Sequence, residues 1–330
     1  MKYYLLVGAG FSRNWGGWLA SEAFEYLLGD PAVIPSAELK TLLWKHQTTG
    51  GFEAALDELQ RDTTPGARTR EQQLQSAVRR MFDSMNAAFK FKSLEFRDGT
   101  ANDPPVRNFL HRFAAIFSLN QDLLLEHCYR GGQDGLIDRR DVRTERDWEI
   151  PGMRLARTSD DQVVFPSATG IWVPSEEHVI GQDWQPILKL HGSANWRTAE
   201  SSDIMILGGG KARAIERYPV LRWYAQVFSE CLNDPESRLM IVGYGFRDPH
   251  INDVLTQAID SGLKIFVIDQ LGADVAAATN PLPKSAIGFK PTALEESVQR
   301  ALIGASRRPL TSTFAGDEVE RQKIERFFST

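Results

Sequence analysis

Five strand-forming residues, Tyr3-Tyr4-Leu5-Leu6-Val7, run without a polar interruption into Gly8-Ala9-Gly10. A strand that is apolar on both faces has to be covered on both. It therefore belongs inside a parallel sheet between two layers, not on a sheet with one wet face. The same arrangement recurs along the chain. Ala114–Leu119 runs into Asn120, Ile187–Leu190 into His191-Gly192, Leu239–Val242 into Gly243, and Lys264–Ile268 into Asp269. Helical periodicity fills most of the intervals, and strands alternating with helices predict a parallel α/β sheet.

Two stretches do not fit the alternation. Residues 36–105 read as a helical insertion, with helices over Ala37–Lys45, Phe52–Arg61 and Glu71–Phe91. In the last of these, Leu74, Val78, Met81, Phe82 and Met85 recur at three- and four-residue steps. Asn102-Asp103-Pro104-Pro105 ends that pattern, and a helix near Val106–Phe109 follows. Residues 131–185 are rich in Gly, Pro, Asp and Arg and read as loops, with a hairpin around Gln162–Val173. Residues 1–35, 106–130 and 186–275 make up the core of a single domain spanning 1–330. Its helices are placed at Trp18–Leu28, Gln121–Tyr129, Tyr218–Leu232 and His250–Ser261, with a loop at 208–213. Residues 276–330 form a tail with one helix, Asp317–Phe328.

Bulk properties exclude some classes of function. The net charge of the 330 residues is −5, which argues against broad or sequence-specific nucleic-acid binding, because phosphate recognition needs concentrated positive charge. Arg61, Arg68, Arg70, Arg79 and Arg80 could form a local basic patch or simply a solvated helical face. With two cysteines, Cys128 and Cys231, the chain has no disulfide framework and fits a reducing cytoplasm. No apolar run is long enough to span a bilayer, and the N-terminal run is too short for a signal peptide.

The candidate chemistry sits at the strand ends. Glycines at 8 and 10 let the backbone turn tightly and approach a pyrophosphate, Ser12 adds a hydroxyl, and the next helix offers free N–H groups. A third fingerprint glycine is missing, since Arg13 takes its place, and the same residues also suit a plain strand–turn–helix corner. In Asn120-Gln121-Asp122, two polar side chains project into the crevice beyond the strand, or cap the following helix. Lys189-Leu190-His191-Gly192-Ser193 places a histidine, the usual general base near neutrality, beside a glycine that leaves room for a ligand. Gly243-Tyr244-Gly245-Phe246-Arg247-Asp248-Pro249-His250-Ile251-Asn252 offers a second close approach to phosphate. There Asp248-Pro249 reads as a cap and first helical turn. Asp269 closes its strand and could accept hydrogen bonds from a ribose, or begin a turn. No metal-ligand cluster is visible in the spacing.

Taken in order from Gly8 to Asp269, these motifs resemble the sirtuin superfamily. The nearest likeness is to the bacterial sirtuin-like proteins of antiphage defence. The resemblance implies a Rossmann-like core that takes NAD+ as its substrate. It implies that Gly8, Ala9, Gly10, Phe11 and Ser12 line the pyrophosphate and nicotinamide-ribose pocket, with Gly192, Ser193 and Tyr244 beside them. Asn120 matches the family's catalytic asparagine, Asp122 its nicotinamide-side acid and His191 its catalytic histidine. Gly243 and Asp269 fall where the family holds phosphate and the adenosine ribose. Protein deacylases of this superfamily carry a four-cysteine zinc module, which two cysteines cannot build. Their Pro-Asp-Phe-Arg run is replaced here by Asn14-Trp15-Gly16-Gly17-Trp18, and Gly245 stands where a serine is common.

The expected reaction is therefore cleavage of the nicotinamide–ribose bond. Positive charge builds on the sugar as a neutral ring departs, so neither a strong acid nor a metal is required. Asn120 would position water and ribose, Asp122 would hold the carboxamide and His191 would accept a proton. Attack by water gives nicotinamide and ADP-ribose; internal attack gives a cyclic product. The alternatives are a non-catalytic NAD+ or ADP-ribose sensor, an NAD-dependent protein deacylase or ADP-ribosylating enzyme, and, with no metal cluster to support it, a nuclease subunit. The first strand opens at Tyr3 and only about sixty residues follow Asp269, short of a typical domain. Control is therefore expected from self-association into a homo-oligomer or from a separately encoded partner. The resemblance implies a HerA-type ATPase or a short Argonaute, with the helix ending in Phe327-Phe328 either docking it or packing back on the core.

Overall fold

A computed structural model describes residues 1–90, 92, 106–128, 148–156, 170–181, 184–280, 282, 285–286 and 288–329. The chain enters through β1 (Lys2–Val7), turns through the short α1 (Ala9–Arg13) and continues into α2 (Ala20–Leu28). Three helices follow: α3 (Ala37–His46), α4 (Gly51–Arg61) and α5 (Ala67–Phe89). After α6 (Val106–Leu110) come β2 (Ala115–Ser118) and α7 (Leu124–Cys128). The short strands β3 (Trp148–Glu149), β4 (Met153–Leu155) and β5 (Trp172–Pro174) precede β6 (Gln185–Lys189), β7 (Gly192–Arg197) and β8 (Asp203–Met205). The chain then runs through α8 (Lys211–Ile215), α9 (Pro219–Leu232), β9 (Ser237–Val242), α10 (Pro249–Asp260) and β10 (Lys264–Ile268). Its last elements are α11 (Ala293–Ala301), β11 (Leu302–Ser306), α12 (Leu310–Phe314) and α13 (Glu318–Arg326).

The central sheet has seven parallel strands in the order β11-β10-β9-β1-β2-β6-β3. The fold is α/β and Rossmann-like, as the apolar runs predict. β1 lies in the middle, and its alternate side chains enter different cores. Leu5 and Val7 join a cluster with Leu56, Leu74, Val78 and Met81 of the helical insertion. Tyr4 and Leu6 join one with Phe228 of α9 and Leu255 of α10. The helical insertion is thus one covering layer of the sheet. A second sheet, β4-β5-β7-β8, is smaller and mixed.

Several boundaries differ from the sequence reading. The helix expected over Gln121–Tyr129 is only Leu124–Cys128 among the described residues, because Asn120 to Asp122 form a polar turn first. The loop placed at 208–213 already contains the start of α8. The expected hairpin around Gln162–Val173 is described only at its end: β5 pairs antiparallel with β4, and residues 157–169 lie outside the described set. The region assigned to the tail supplies β11, which pairs with β10 at the edge of the main sheet. Its glycine has a local reason, since a Cβ on Gly304 would lie 2.5 Å from the Phe266 ring. The terminal aromatics pack inward: Phe327 is 2% exposed, and the Arg112 guanidinium lies 3.5 Å from the centre of the Phe328 ring. Of the five arginines considered as a basic patch, Arg61, Arg70, Arg79 and Arg80 are each paired with an aspartate, which favours the solvated face. Among the described residues, no helix is long and apolar enough to cross a membrane.

Candidate active site

Across the carboxyl edge of the sheet, strands β10, β9, β1, β2 and β6 end side by side. They are followed in that order by Asp269, Gly243, Gly8, the Asn120 turn and the His191 turn. Residues far apart in sequence are brought to one crevice, where open α/β sheets hold their ligands.

The glycines do more than make room for a ligand. Gly10 N–H donates to the Gly243 carbonyl at 3.0 Å, so the β1 and β9 turns are locked together. A Cβ on Gly8 would lie 2.5 Å from Gly243 O, and one on Gly243, at φ +63°, would lie 2.3 Å from Gly10 backbone. At these positions the requirement for glycine comes first from backbone meeting backbone. Ala9 is exposed, and Gly10 and Gly243 reach the surface in part. The Phe11 ring is 1% exposed, packs on Trp15 and belongs to the apolar core.

Beneath the glycines lies a polar floor. Asn120 Nδ2 donates to the Gly8 carbonyl at 2.9 Å and to Ser12 Oγ at 3.0 Å. Ser12 in turn donates to Asp122 Oδ2 at 2.8 Å, and Asp122 Oδ1 accepts from Leu124 N–H at 3.0 Å. The helix-capping role considered for Asp122 is therefore real, but it occupies only one carboxylate oxygen. Burial raises the Asp122 carboxyl above its ordinary range, against the pull of Lys189, the Leu124 N–H and the Ser12 hydroxyl. Lys189 is wholly buried and donates to the Asp122 carbonyl at 2.5 Å and to Glu126 Oε1 at 2.7 Å. Burial raises the Glu126 carboxyl too, with Lys189 opposing. Asn86 of α5 accepts from Leu123 N–H at 2.8 Å, tying the turn to the helical layer.

His191 sits one strand over. Burial, then the nearby Lys211 ammonium, push its imidazole down to about 3, so the ring is neutral. Its Nε2 lies 3.0 Å from His250 Nε2, and the ring is also held by the Leu119 carbonyl. A proton held toward Leu119 leaves the Nε2 lone pair as an acceptor. Gly192 follows at φ +72°, where a Cβ would lie 2.1 Å from Ile204 O. Ser193 is buried, and its hydroxyl reaches toward the Gln121 carbonyl at 3.4 Å.

Sequence reasoning missed the groups around His191. Lys211 of α8 bridges Glu53 of α4 at 2.7 Å and Asp248 at 2.8 Å. Asp248, read from sequence as a cap, makes no side-chain capping bond; its carboxylate goes to Lys211 instead. Ligand atoms of His191, Asp248 and His250 all lie within 4.8 Å of one another, a set the spacing did not reveal. The visible clue was a histidine and an acid flanking Pro249 at a strand end. Tyr244 turns inward, its hydroxyl donating to Asn252 Oδ1 at 2.9 Å, so its side chain supports the turn. Asp269 accepts from Leu271 N–H at 2.9 Å and remains half-exposed.

Asn120, Asp122 and His191 are 8%, 5% and 1% exposed, more enclosed than the open crevice expected from sequence. Cavities of about 340 and 520 Å³ lie elsewhere, the first lined by Arg307 and Arg308, the second by Arg154 and Tyr218.

The parallel sheet, the glycine turns and the polar floor define a Rossmann-like protein with its candidate site at the strand ends. Residues 114–277 match the SIR2-like domain family, which supports a sirtuin-like superfamily member. Domains of this family bind NAD+ and typically carry NAD-dependent chemistry. No curated protein matches the chain.

Proposed function

We propose that the chain is an NAD+ hydrolase that releases nicotinamide and ADP-ribose. The observation that carries this reading is the bonded set Gly8–Ser12–Asn120–Asp122, with neutral His191 on the neighbouring strand end. Asn120 and Asp122 hold the ribose and the carboxamide. Departure of nicotinamide leaves positive charge on the sugar, which the buried, acceptor-rich floor stabilises. The Nε2 of His191 accepts the proton of the attacking water or of a ribose hydroxyl, and half-exposed His250 passes it to solvent. None of these steps calls for a metal.

Enclosure of the floor adds a condition. Lys211 ties α4 to Asp248 beside His191, and we read loosening of that bridge as the step that admits NAD+ to the enclosed residues. We therefore infer a gated enzyme of bacterial antiphage defence, opened by self-association or by a separately encoded partner. The same enclosure favours one second reading, a sensor that binds NAD+ or ADP-ribose without turnover. Incubating the purified protein with NAD+, alone and with the product of the neighbouring gene, and measuring nicotinamide by chromatography separates the two. Release supports the hydrolase; intact NAD+ that remains bound supports the sensor. Light scattering on the same samples tests the oligomer, and a monomer with full activity alone would defeat the gating.

A further inference from the structure

We propose that His191, Asp248 and His250 form a binding site for a divalent transition-metal ion of the zinc type, and that an ion held there silences the reaction centre. The silencing rests on the reading of His191 as the reacting base; the site itself does not.

Two imidazoles and a carboxylate are a donor set suited to a borderline ion such as Zn2+. Their ligand atoms converge within 4.8 Å. The two Nε2 atoms are 3.0 Å apart, close to the roughly 3.3 Å between neighbouring ligands of a tetrahedral zinc at a Zn–N distance of about 2.0 Å. His191 already has the outer support that metal-bound histidines use, a backbone carbonyl, here that of Leu119. His250 is free to carry its proton on Nδ1 and offer its Nε2 lone pair, which leaves the proton count unchanged.

The charges around the cluster favour a cation. Glu53 and Asp248 share the single ammonium of Lys211, so Asp248 is not committed to a cation of its own, and burial first holds both histidines toward the neutral form that a metal requires. Lys211 needs only to retain Glu53 and release Asp248 for the carboxylate to turn to the metal. Asp248 is 15% exposed and His250 is partly exposed, and they provide the entry path, whereas His191, 1% exposed, is reached last. Once coordinated, the His191 lone pair is unavailable to water or ribose, and the chain becomes a metal-sensitive enzyme.

The test counts bound Zn2+ on the full-length chain, stripped with chelator and titrated against a chromophoric competitor, with melting curves to confirm folding. Wild type should bind one ion, as should Cys128→Ser/Cys231→Ser. His250→Ala and Asp248→Asn should each weaken binding by about 10-fold or more. Lys211→Met should strengthen it, because the competing ammonium is gone; a merely structural lysine would not move binding in that direction. No bound zinc, or equal binding by wild type, His250→Ala and Asp248→Asn, would overturn the site. Nicotinamide release should fall as the ion binds and return with chelator. Full turnover by the loaded protein would overturn the silencing. A chain that never releases nicotinamide would refute the hydrolase reading, and the zinc count would still decide the site.

Discussion

Ser12 and Asp122, 110 residues apart, are joined by one buried hydrogen bond of 2.8 Å from hydroxyl to carboxylate. The bond couples the first glycine turn to the turn after β2, and Asn120 donates to the same hydroxyl. Ser12→Ala removes a donor from a buried carboxylate and an acceptor from a buried amide. The expected cost is about 1–3 kcal/mol of stability. Nicotinamide release should also drop by at least about tenfold. Chemical denaturation and chromatography check the two effects, and an unchanged rate would place the network outside catalysis.

His191→Ala should reduce nicotinamide release by about 10²–10⁴-fold, the range for loss of a general base. The folded state should survive, since the ring is neutral and the charged groups beside it, Lys211 and Asp248, keep each other as partners. Asn120→Ala should lose turnover as severely, but with a visible drop in melting temperature because Gly8 O and Ser12 Oγ both lose their donor. A pair of melting curves beside the kinetic assay separates these cases.

Lys189 and Glu126 form an ion pair with both side chains wholly buried. Lys189→Met leaves a buried carboxyl without its partner and should cost about 3–5 kcal/mol. Lys189→Met combined with Glu126→Leu should recover most of that loss. Equilibrium unfolding of the two singles and the double gives the coupling, and simple additivity would show that the pair is not acting as one unit.

Asp30 anchors the end of α2 to Arg80 of α5. Burial alone would raise its carboxyl, but the Arg80 bonds and the Ala32 N–H outweigh it and hold the group below the ordinary range. A depressed carboxyl contributes stability that is present above its unfolded value of about 3.9 and is lost as pH falls through the lower folded value. Asp30→Asn should therefore lower stability at neutral pH and flatten its decline below about pH 4. Thermal melts across that range provide the check, and parallel curves for mutant and wild type would exclude the linkage.

The sheet was legible because its central strands are apolar on both faces, as Leu5-Leu6-Val7 and Leu239–Val242 show. The amphipathic face of α5 was legible for the same reason: Leu74, Val78, Met81, Phe82 and Met85 are all buried. β11 was not, since an edge strand with Ile303 at 44% exposure and Gly304 in its middle has no distinctive period. Within the candidate site, Ser12, Asn120, Asp122 and His191 stand at strand ends, which position alone identifies. Lys211 and Glu53 lie on short or covering helices; only tertiary packing brings Lys211 beside His191 and Glu53 to Lys211. Nor could sequence distinguish the side chain of Tyr244, which turns inward, from the backbone of Gly243 beside it.

The place of β1 in the sheet also governs how such a chain comes off the ribosome. Its Val7 pairs on one side with Ser118 and on the other with Val242, so β1 waits for a strand made much later. At about 5–20 residues per second, that wait lasts many seconds, with an apolar strand needing shelter meanwhile. Pairings this distant in sequence also close slowly. Until β9 emerges, the Gly8 turn has no Gly243 to lock against, and His250 has yet to be translated. Under the proposed hydrolase reading, a nascent chain would therefore leave the cell's NAD+ untouched until β9 and α10 have emerged and docked.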